Sequence, residues 1–425
     1  MANKLWLVKK EDIEKQSFFW NIMSSVLNSV VSVLLLWFVT RINGVSDAGL
    51  FSLGFSTSQM ILTLGNYGMR NYQATDIKNK YSMSVYIASR VITNLVMMIS
   101  AFGFVFIEGY NLEKAAITLL LCLLRVTDAF DDVYGGYYQK LGRLDISGKI
   151  MSLRIMSYVV AFCLTLYFSN NLIWSCVIAI IVSGIILGYL VNSTKEIVPL
   201  EKAYYDIKKI EHLLKECFPL CISAFLLIYM GNAPKYAIDF YLSSNEQAYY
   251  TYLFMPCFVT NLFVGFALQP LLVRLSKAWI YNDYRKFIKL CGLISVSALL
   301  MAVIVVIVGG AVGCQILSIV FGVDLNGFKE VLIILLIGGA FFAFSVIEQV
   351  ILTVMRKQTY LLICFLIASI TAFLTSNPLV HKWGLLGAGY AYVICAGVLF
   401  GVLAIMILVF IIVETKKLKT NRKQV

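Results

Sequence analysis

The chain has 425 residues, 60% of them hydrophobic and only 14% charged, with a formal net charge of +12 and a mean hydropathy of +0.84. This composition excludes a soluble globular domain and indicates an integral membrane protein. It also excludes nucleic acid as the partner of the positive charge, because the basic residues are spread over short loops rather than gathered into one patch.

Apolar runs of about 20 residues, enough to cross a bilayer as helix, recur along the chain. They predict an all-α membrane protein with twelve transmembrane helices at 18–40, 49–69, 83–107, 115–137, 147–168, 172–193, 217–241, 247–272, 288–310, 330–354, 359–377 and 384–413. The first run is as long as a bilayer span and no small-residue cleavage site follows it, so it reads as a helix and not as a signal peptide. Segments on the side of the N-terminus carry Lys4, Lys9, Lys10 and Lys15, then Arg70, Lys78 and Lys80, then Lys140 and Arg143. The same side continues through Lys202, Lys208, Arg274, Lys277, Arg356 and Lys357 to Lys416, Arg422 and Lys423. The opposite side carries only Arg41, Lys114, Lys329 and Lys382. This is the positive-inside pattern, which puts both termini in the cytoplasm, with some attraction to anionic membrane lipids besides.

The longest polar stretch, 194–217, carries Pro199 and follows the sixth span. It divides the chain into a six-helix bundle over 1–194, a cytoplasmic linker over 195–216 and a second six-helix bundle over 217–425. The halves echo each other: SDAGLFSL (46–53) with NEQAYYTYLF (245–254), and YYQKLGR (137–143) with VMRKQ (354–358). An even number of spans per half makes such repeats parallel, related by an axis along the membrane normal. Outer loops are short; the longest, about 310–329, has turn residues and some apolar character. Glycines paired at helical spacing, Gly309 with Gly313 and Gly397 with Gly401, suit close helix packing, with a gating hinge as the alternative. The ten cysteines form no CxxC and lie mostly inside apolar runs, where cysteine packs as a small hydrophobe. The two histidines, His212 and His381, fall in polar connections, so no metal site is expected.

Apart from those near the interfaces, ionisable residues inside the spans are few: Arg90 in the third, Arg125 with Asp128, Asp131 and Asp132 in the fourth, Arg154 in the fifth, Lys235 and Asp239 in the seventh, Glu348 in the tenth. Each is a functional candidate, since a charge at mid-bilayer costs about 2.5–3.5 kcal/mol even on the mildest insertion scale. Arg125, Asp128 and Asp132 share one helical stripe, with Asp131 turned partly away. In the structural reading, Arg125–Asp128 and Lys235–Asp239 neutralise each other within their helices while Arg90 and Arg154 reach for the interface. In the functional reading, Arg90, Arg125, Arg154 and Lys235 line a cationic cavity for an anionic substrate, and Asp128, Asp239 and Glu348 couple its movement to H⁺ or Na⁺. Pro234, beside Lys235, favours the second: a proline inside a helix frees a carbonyl and loosens the helix as a hinge. Tyrosines such as Tyr134, Tyr137, Tyr236 and Tyr250 either contact sugar or form an interfacial belt.

Catalytic signatures are missing. No GxxxxGK[ST], HExxH or GxSxG occurs, so neither ATP-driven transport by this chain nor the corresponding hydrolase chemistry is indicated. The DAFDD cluster (128–132) resembles a Mg²⁺–diphosphate site of membrane prenyltransferases, but those enzymes need two such clusters and this chain has one. A membrane glycosyltransferase or polysaccharide polymerase is disfavoured by the short outer loops.

The six-plus-six layout, NAPKYAID (232–239), QPLL (269–272) and QKLGRLDISGKIMSLR (139–154) resemble the polysaccharide-export flippases. These are the O-antigen and capsule repeat-unit translocases of the multidrug/oligosaccharidyl-lipid/polysaccharide exporter superfamily. The resemblance covers nearly the whole chain. It implies a V-shaped pair of six-helix bundles around a central, partly cationic cavity, and no enzymatic activity. It also implies undecaprenyl-diphosphate-linked oligosaccharide as substrate, carried between leaflets of the bacterial cytoplasmic membrane, with the pathway's polymerase and glycosyltransferases as partners. The related peptidoglycan-precursor flippases carry charges in their first span; here 18–40 has none, which argues against that substrate. The multidrug branch of the superfamily, which prefers cationic drugs, is the alternative.

Overall fold

The computed structural model describes residues 6–76, 80–195, 197–198, 203–281 and 283–421. Lys4, Lys78, Pro199, Lys202, Arg422 and Lys423, and the side chains of Gln269 and Pro270, lie outside the described set. Among the described residues the chain is helical and has no strand. It separates into two compact units, Met1–Ile228 and Tyr229–Val425.

Unit 1 holds α1 (Ile13–Asn43), α2 (Val45–Asn66), the short α3 (Met69–Thr75), α4 (Met83–Ile107), α5 (Leu112–Lys140), α6 (Leu144–Ser169), α7 (Leu172–Ser193) and the first part of α8 (Ile207–Tyr241). Helix starts are set by polar caps: the Asn111 side chain accepts from the Lys114 amide and Asn171 from the Trp174 amide, supplying acceptors to otherwise orphaned N–H groups. α1 lies along α6, α2 along α5, and α6 along α7. The α1–α6 contact depends on Gly148, where a Cβ would stand 2.6 Å from the Trp20 backbone. α4 shows the inverted patterning of a membrane helix. Its inner stripe (Ser89, Arg90, Thr93, Asn94, Met97) is buried, while Leu95, Ile99, Phe102 and Phe106 are exposed. Exposed apolar side chains are at their lowest free energy against lipid, and the polar ones are satisfied inside.

Unit 2 holds the end of α8, then α9 (Ser244–Phe254), α10 (Cys257–Ile280), α11 (Tyr284–Val308), α12 (Cys314–Phe321), α13 (Lys329–Val354) and α14 (Leu361–Asn421). α13 is its centre, packed against α14, α10 and α11. α9 starts on a capping box between Ser243 and Glu246. α14 continues through Pro378 and breaks at Gly384, whose φ of 56° and ψ of −131° are open to glycine alone.

Several expectations change. The linker is not wholly irregular: α8 begins at Ile207, and its first turns bury Ile210, Leu213 and Cys217 with Tyr81, Tyr86 and Val133. The division into compact units falls within α8, between Ile228 and Tyr229. The expected span 247–272 is two helices, parted at Met255 and Pro256 by i to i+3 turns, whereas α8 runs unbroken through Pro234. The helix break therefore sits at Pro256. There Gly339 of α13 leaves room, since a Cβ on it would come within 2.8 Å of Cys257. Gly309 and Gly313 do pack, against Leu336 and Leu332, within a π-helical turn, but Gly397 and Gly401 face nothing within 4 Å. Both histidines are in helices rather than connections.

Among the described residues, eight helical stretches are long and apolar enough to cross a membrane by length and composition. α2, α5 and α10 are not among them. In α2 and α5 the reason is visible: they bury polar residues, Thr57 and Ser58 in one and Thr118, Arg125 and Asp131 in the other, which lowers their hydropathy without exposing charge. The chain is a multi-pass membrane protein. All ten cysteines are free thiols.

Candidate functional site

In unit 1 the buried arginines meet the aspartates of α5 in two ion clusters. Arg154, 1% exposed, donates to Asp131 at 3.0 Å and reaches Asp128 at 2.7 Å. It also donates to Thr127 and Ser183, each at 3.2 Å. Asp128 is shared with Arg125 at 2.6 Å, and Arg125 stacks over Phe55 at 4.3 Å and donates to Ser58. One turn further along α5, Asp132 accepts from the fully buried Arg90 at 2.8 Å and lies 3.6 Å from Arg70. Arg90 also donates to the Gly65 carbonyl, which accepts from Thr93 at 2.8 Å as well. α3 brings Arg70 close because of Gly135, where a Cβ would stand 3.3 Å from the guanidinium carbon.

Of the three arginines singled out in the sequence, Arg125 and Arg154 are brought together on Asp128 and Arg90 is held by Asp132, so they are neutralised rather than open. Arg90 and Arg154 do not reach for the interface; each is held by carboxylates deep in the unit. Asp131, expected to turn away, is 6% exposed and bound to Arg154. Four guanidinium groups meet three carboxylates, so one positive charge is in excess. Removing one member of a buried pair typically costs about 3–5 kcal/mol, because the other charge is left unpaired. The DAFDD acids are engaged by arginine, which removes the motive for reading them as metal ligands. Asp132 was named on the stripe with Arg125 but given no role of its own, and Arg70 was not a site candidate: it sits on α3, a short helix that hydropathy does not reveal.

Unit 2 handles its charge otherwise. Lys235, 6% exposed, stands 5.5 Å from the Phe254 ring centroid. Phe254 in turn meets Tyr250 at 5.8 Å and Tyr392 at 4.8 Å. Pro234 is buried beside it and Asp239 is half-buried. Two further buried groups lie on α9: Gln247, missed in the sequence, whose amide oxygen and nitrogen both lack hydrogen-bond partners, and Tyr250, already named as a tyrosine that could contact sugar, whose hydroxyl does. Unsatisfied buried polar atoms are rare and require an explanation. Glu348 is 8% exposed and its Oε2 makes no hydrogen bond. It lies nine residues beyond Gly339 on α13, about 14 Å along the axis, so it does not belong to the aromatic group.

A polar clasp closes the base of unit 1. Glu216 of α8 accepts from Lys80 at 2.6 Å, Tyr72 at 2.6 Å and Tyr81 at 3.0 Å, and Tyr81 meets His212 Nδ1 at 2.6 Å. Burial and then the bond to Glu216 push the Tyr81 hydroxyl up to about 12. The bond to Glu216 raises the Lys80 ammonium.

A family model described as "Polysaccharide biosynthesis protein" matches residues 15–278. The capsular polysaccharide biosynthesis protein CapF of Staphylococcus aureus is 24% identical over 386 residues, 88% of this chain and 94% of the relative. Among solved structures, an inward-facing MATE-family multidrug resistance transporter of the MOP superfamily matches with a TM-score of 0.74 at 13% identity, covering 91% of this chain and 96% of that one. The lipid II flippase MurJ, in an inward closed conformation, matches with a TM-score of 0.70 at 15% identity, covering 91% and 87%. At these identities the solved structures show a shared fold.

Proposed function

The chain belongs to the polysaccharide biosynthesis protein family, and on that footing we propose that it is a secondary transporter, a flippase. Its substrate is an undecaprenyl-diphosphate-linked oligosaccharide repeat unit, moved from the inner to the outer leaflet of the bacterial cytoplasmic membrane. In this reading twelve spans form two six-helix halves, both termini are cytoplasmic, and access alternates between the two faces. The observation that carries it is Lys235, an ammonium buried in a membrane helix against an aromatic group rather than at an interface. A diphosphate needs a cation, and an ammonium is a compact charge suited to phosphate. Gln247 and Tyr250, with unpartnered polar atoms nearby on α9, suit sugar hydroxyls, and the prenyl chain stays in lipid. In unit 1 two arginines, Arg70 and Arg90, meet the single carboxylate Asp132, a local positive excess that attracts anions to that unit. Glu348 serves ion coupling.

The test is Lys235→Ala in a strain whose own gene is deleted. Surface polysaccharide is lost while the protein is still inserted at its normal level; unchanged polymer removes Lys235 from substrate contact. The multidrug alternative is supported by the MATE fold and is separated by the same deletion, which leaves cationic-drug sensitivity unaltered if the substrate is lipid-linked. A polymerase or glycosyltransferase role is excluded when the purified protein neither makes nor breaks a glycosidic bond.

A further inference from the structure

A cavity of about 730 Å³ opens where the chain enters α1. Its wall is fixed by the segment ahead of the helix. Trp6 is fully buried, its indole N–H donates to Ser193 at 2.9 Å, and its carbonyl accepts from Arg143 at 2.8 Å. This holds Leu7 and Val8 in place as lining. The floor follows from the α1–α6 approach at Gly148, which sets Lys149 beside Trp20 with the ammonium 5.9 Å from the ring centroid. Lys149 is 4% exposed and lies 4.0 Å from Asp145, which Arg143 grips with two bonds of 2.8 and 3.0 Å. Lys15, Gln16 and Asp12 complete the polar lining and Phe19 the apolar one.

The cavity lies at a membrane boundary. Beyond Lys15, α1 turns an apolar face outward, with Phe18 71%, Phe19 54% and Val26 51% exposed. Lys9, Lys10 and Lys15 precede that face and are exposed. A ligand for such a site carries one phosphate for the lysines, hydroxyl or ester oxygens for Gln16, and a hydrocarbon tail that continues along α1. We infer that the cavity holds the headgroup of an anionic phospholipid of the bilayer, its phosphate met by Lys15 and Lys149. Lys15, Lys149 and Arg143 outnumber Asp12 and Asp145 by one positive charge, which matches a phosphate monoanion and not the more highly charged diphosphate of a lipid-linked sugar. Basic pockets at helix ends on the cytoplasmic side recognise phospholipid headgroups by the same electrostatics. The inference concerns lipid and goes beyond the transport reading.

Native mass spectrometry of the full chain, released from detergent with phosphatidylglycerol or phosphatidylcholine of equal chain length, reads the site directly. The wild type retains phosphatidylglycerol over phosphatidylcholine by on the order of tenfold, the scale expected for two lysines near a phosphate. Lys15→Gln with Lys149→Gln abolishes the preference, and Lys114→Gln, at a distant loop, keeps it. Because Lys149 is buried, Lys15→Gln alone, at an exposed position, gives the decisive reading should the double variant unfold: the preference drops about threefold. No preference in the wild type, or an unchanged preference in Lys15→Gln, overturns the inference. Displacement of the bound lipid by an equal concentration of a short-chain prenyl diphosphate also overturns it, assigning the cavity to a lipid-linked substrate. Retention is measured without export, so a failed flippase reading leaves this result standing.

Discussion

Unit 1 and unit 2 both bury charge, and they do so by opposite means. In unit 1 every buried arginine is answered by an aspartate from α5, and one carboxylate, Asp128, serves two arginines. In unit 2 the buried ammonium of Lys235 sits on an aromatic face and the buried carboxyl of Glu348 keeps an oxygen without a hydrogen bond. A saturated ion network is rigid, because each member leaves an unpaired charge if removed. The contact of the Lys235 ammonium with the Phe254 ring contributes about 0.5–2 kcal/mol. On the proposed function, the ion clusters of unit 1 serve mainly architecture and Lys235 of unit 2 serves the ligand.

Variants sharpen that contrast, the most damaging first. Arg154→Met leaves Asp131 without its arginine and Asp128 with Arg125 alone, and the expected result is loss of folded protein, a destabilisation of about 3–5 kcal/mol seen in thermal unfolding of the detergent-solubilised chain. Adding Asp131→Asn should restore part of it; no recovery would mean that the pair is not coupled. Lys235→Ala takes the reverse course: export is expected to be lost while the folded protein is retained. If it unfolds the protein as Arg154→Met does, the distinction between the units collapses. Glu348→Gln keeps shape and removes the ionisable group. Stability should hold while transport in vesicles stops responding to the H⁺ or Na⁺ gradient, and persisting gradient dependence takes Glu348 out of the coupling step.

The smallest effect concerns the clasp. Tyr81→Phe deletes the hydroxyl that joins His212 and Glu216, a loss of about 1 kcal/mol. The Tyr81 hydroxyl is held neutral up to about 12, above the usual tyrosine value of about 10. Its contribution is therefore full below pH 10 and lost as the pH rises from 10 toward 12. Unfolding midpoints followed across that window should fall in the wild type more than in Tyr81→Phe.

Much of this was legible before any coordinates. Spacings of three and four residues put Arg125 and Asp128 on one helix face, and the structure pairs them at 2.6 Å. Hydropathy located the long helices, including α1, α4 and α7, because a lipid-facing helix needs a continuous apolar surface. Other features were not legible, because they depend on neighbours distant in the chain. Asp131 looked peripheral on its own helix and is buried only because α6 brings Arg154 to it. Pro234 looked like a break and is not one, while Pro256 is. A proline inside a helix loses one bond and can be absorbed by local adjustment, whereas at Pro256 the turn is accommodated by the surface that Gly339 leaves open on α13.

The sequence by itself determined that the chain lives in a membrane as helices, that its charge is confined to loops and to a few interior positions, and which residues those are. Periodicity and hydropathy are local properties, and a bilayer enforces them helix by helix. Tertiary structure alone decided which interior charges are spent on one another and which stand on aromatic surface. That choice turns on contacts of a few ångströms between helices far apart in the chain, such as α4 with α5 or α8 with α9. It also decided that the turn before α1 closes over a basic cavity, because only the backbone contact of Gly148 with Trp20 sets Lys149 at its floor.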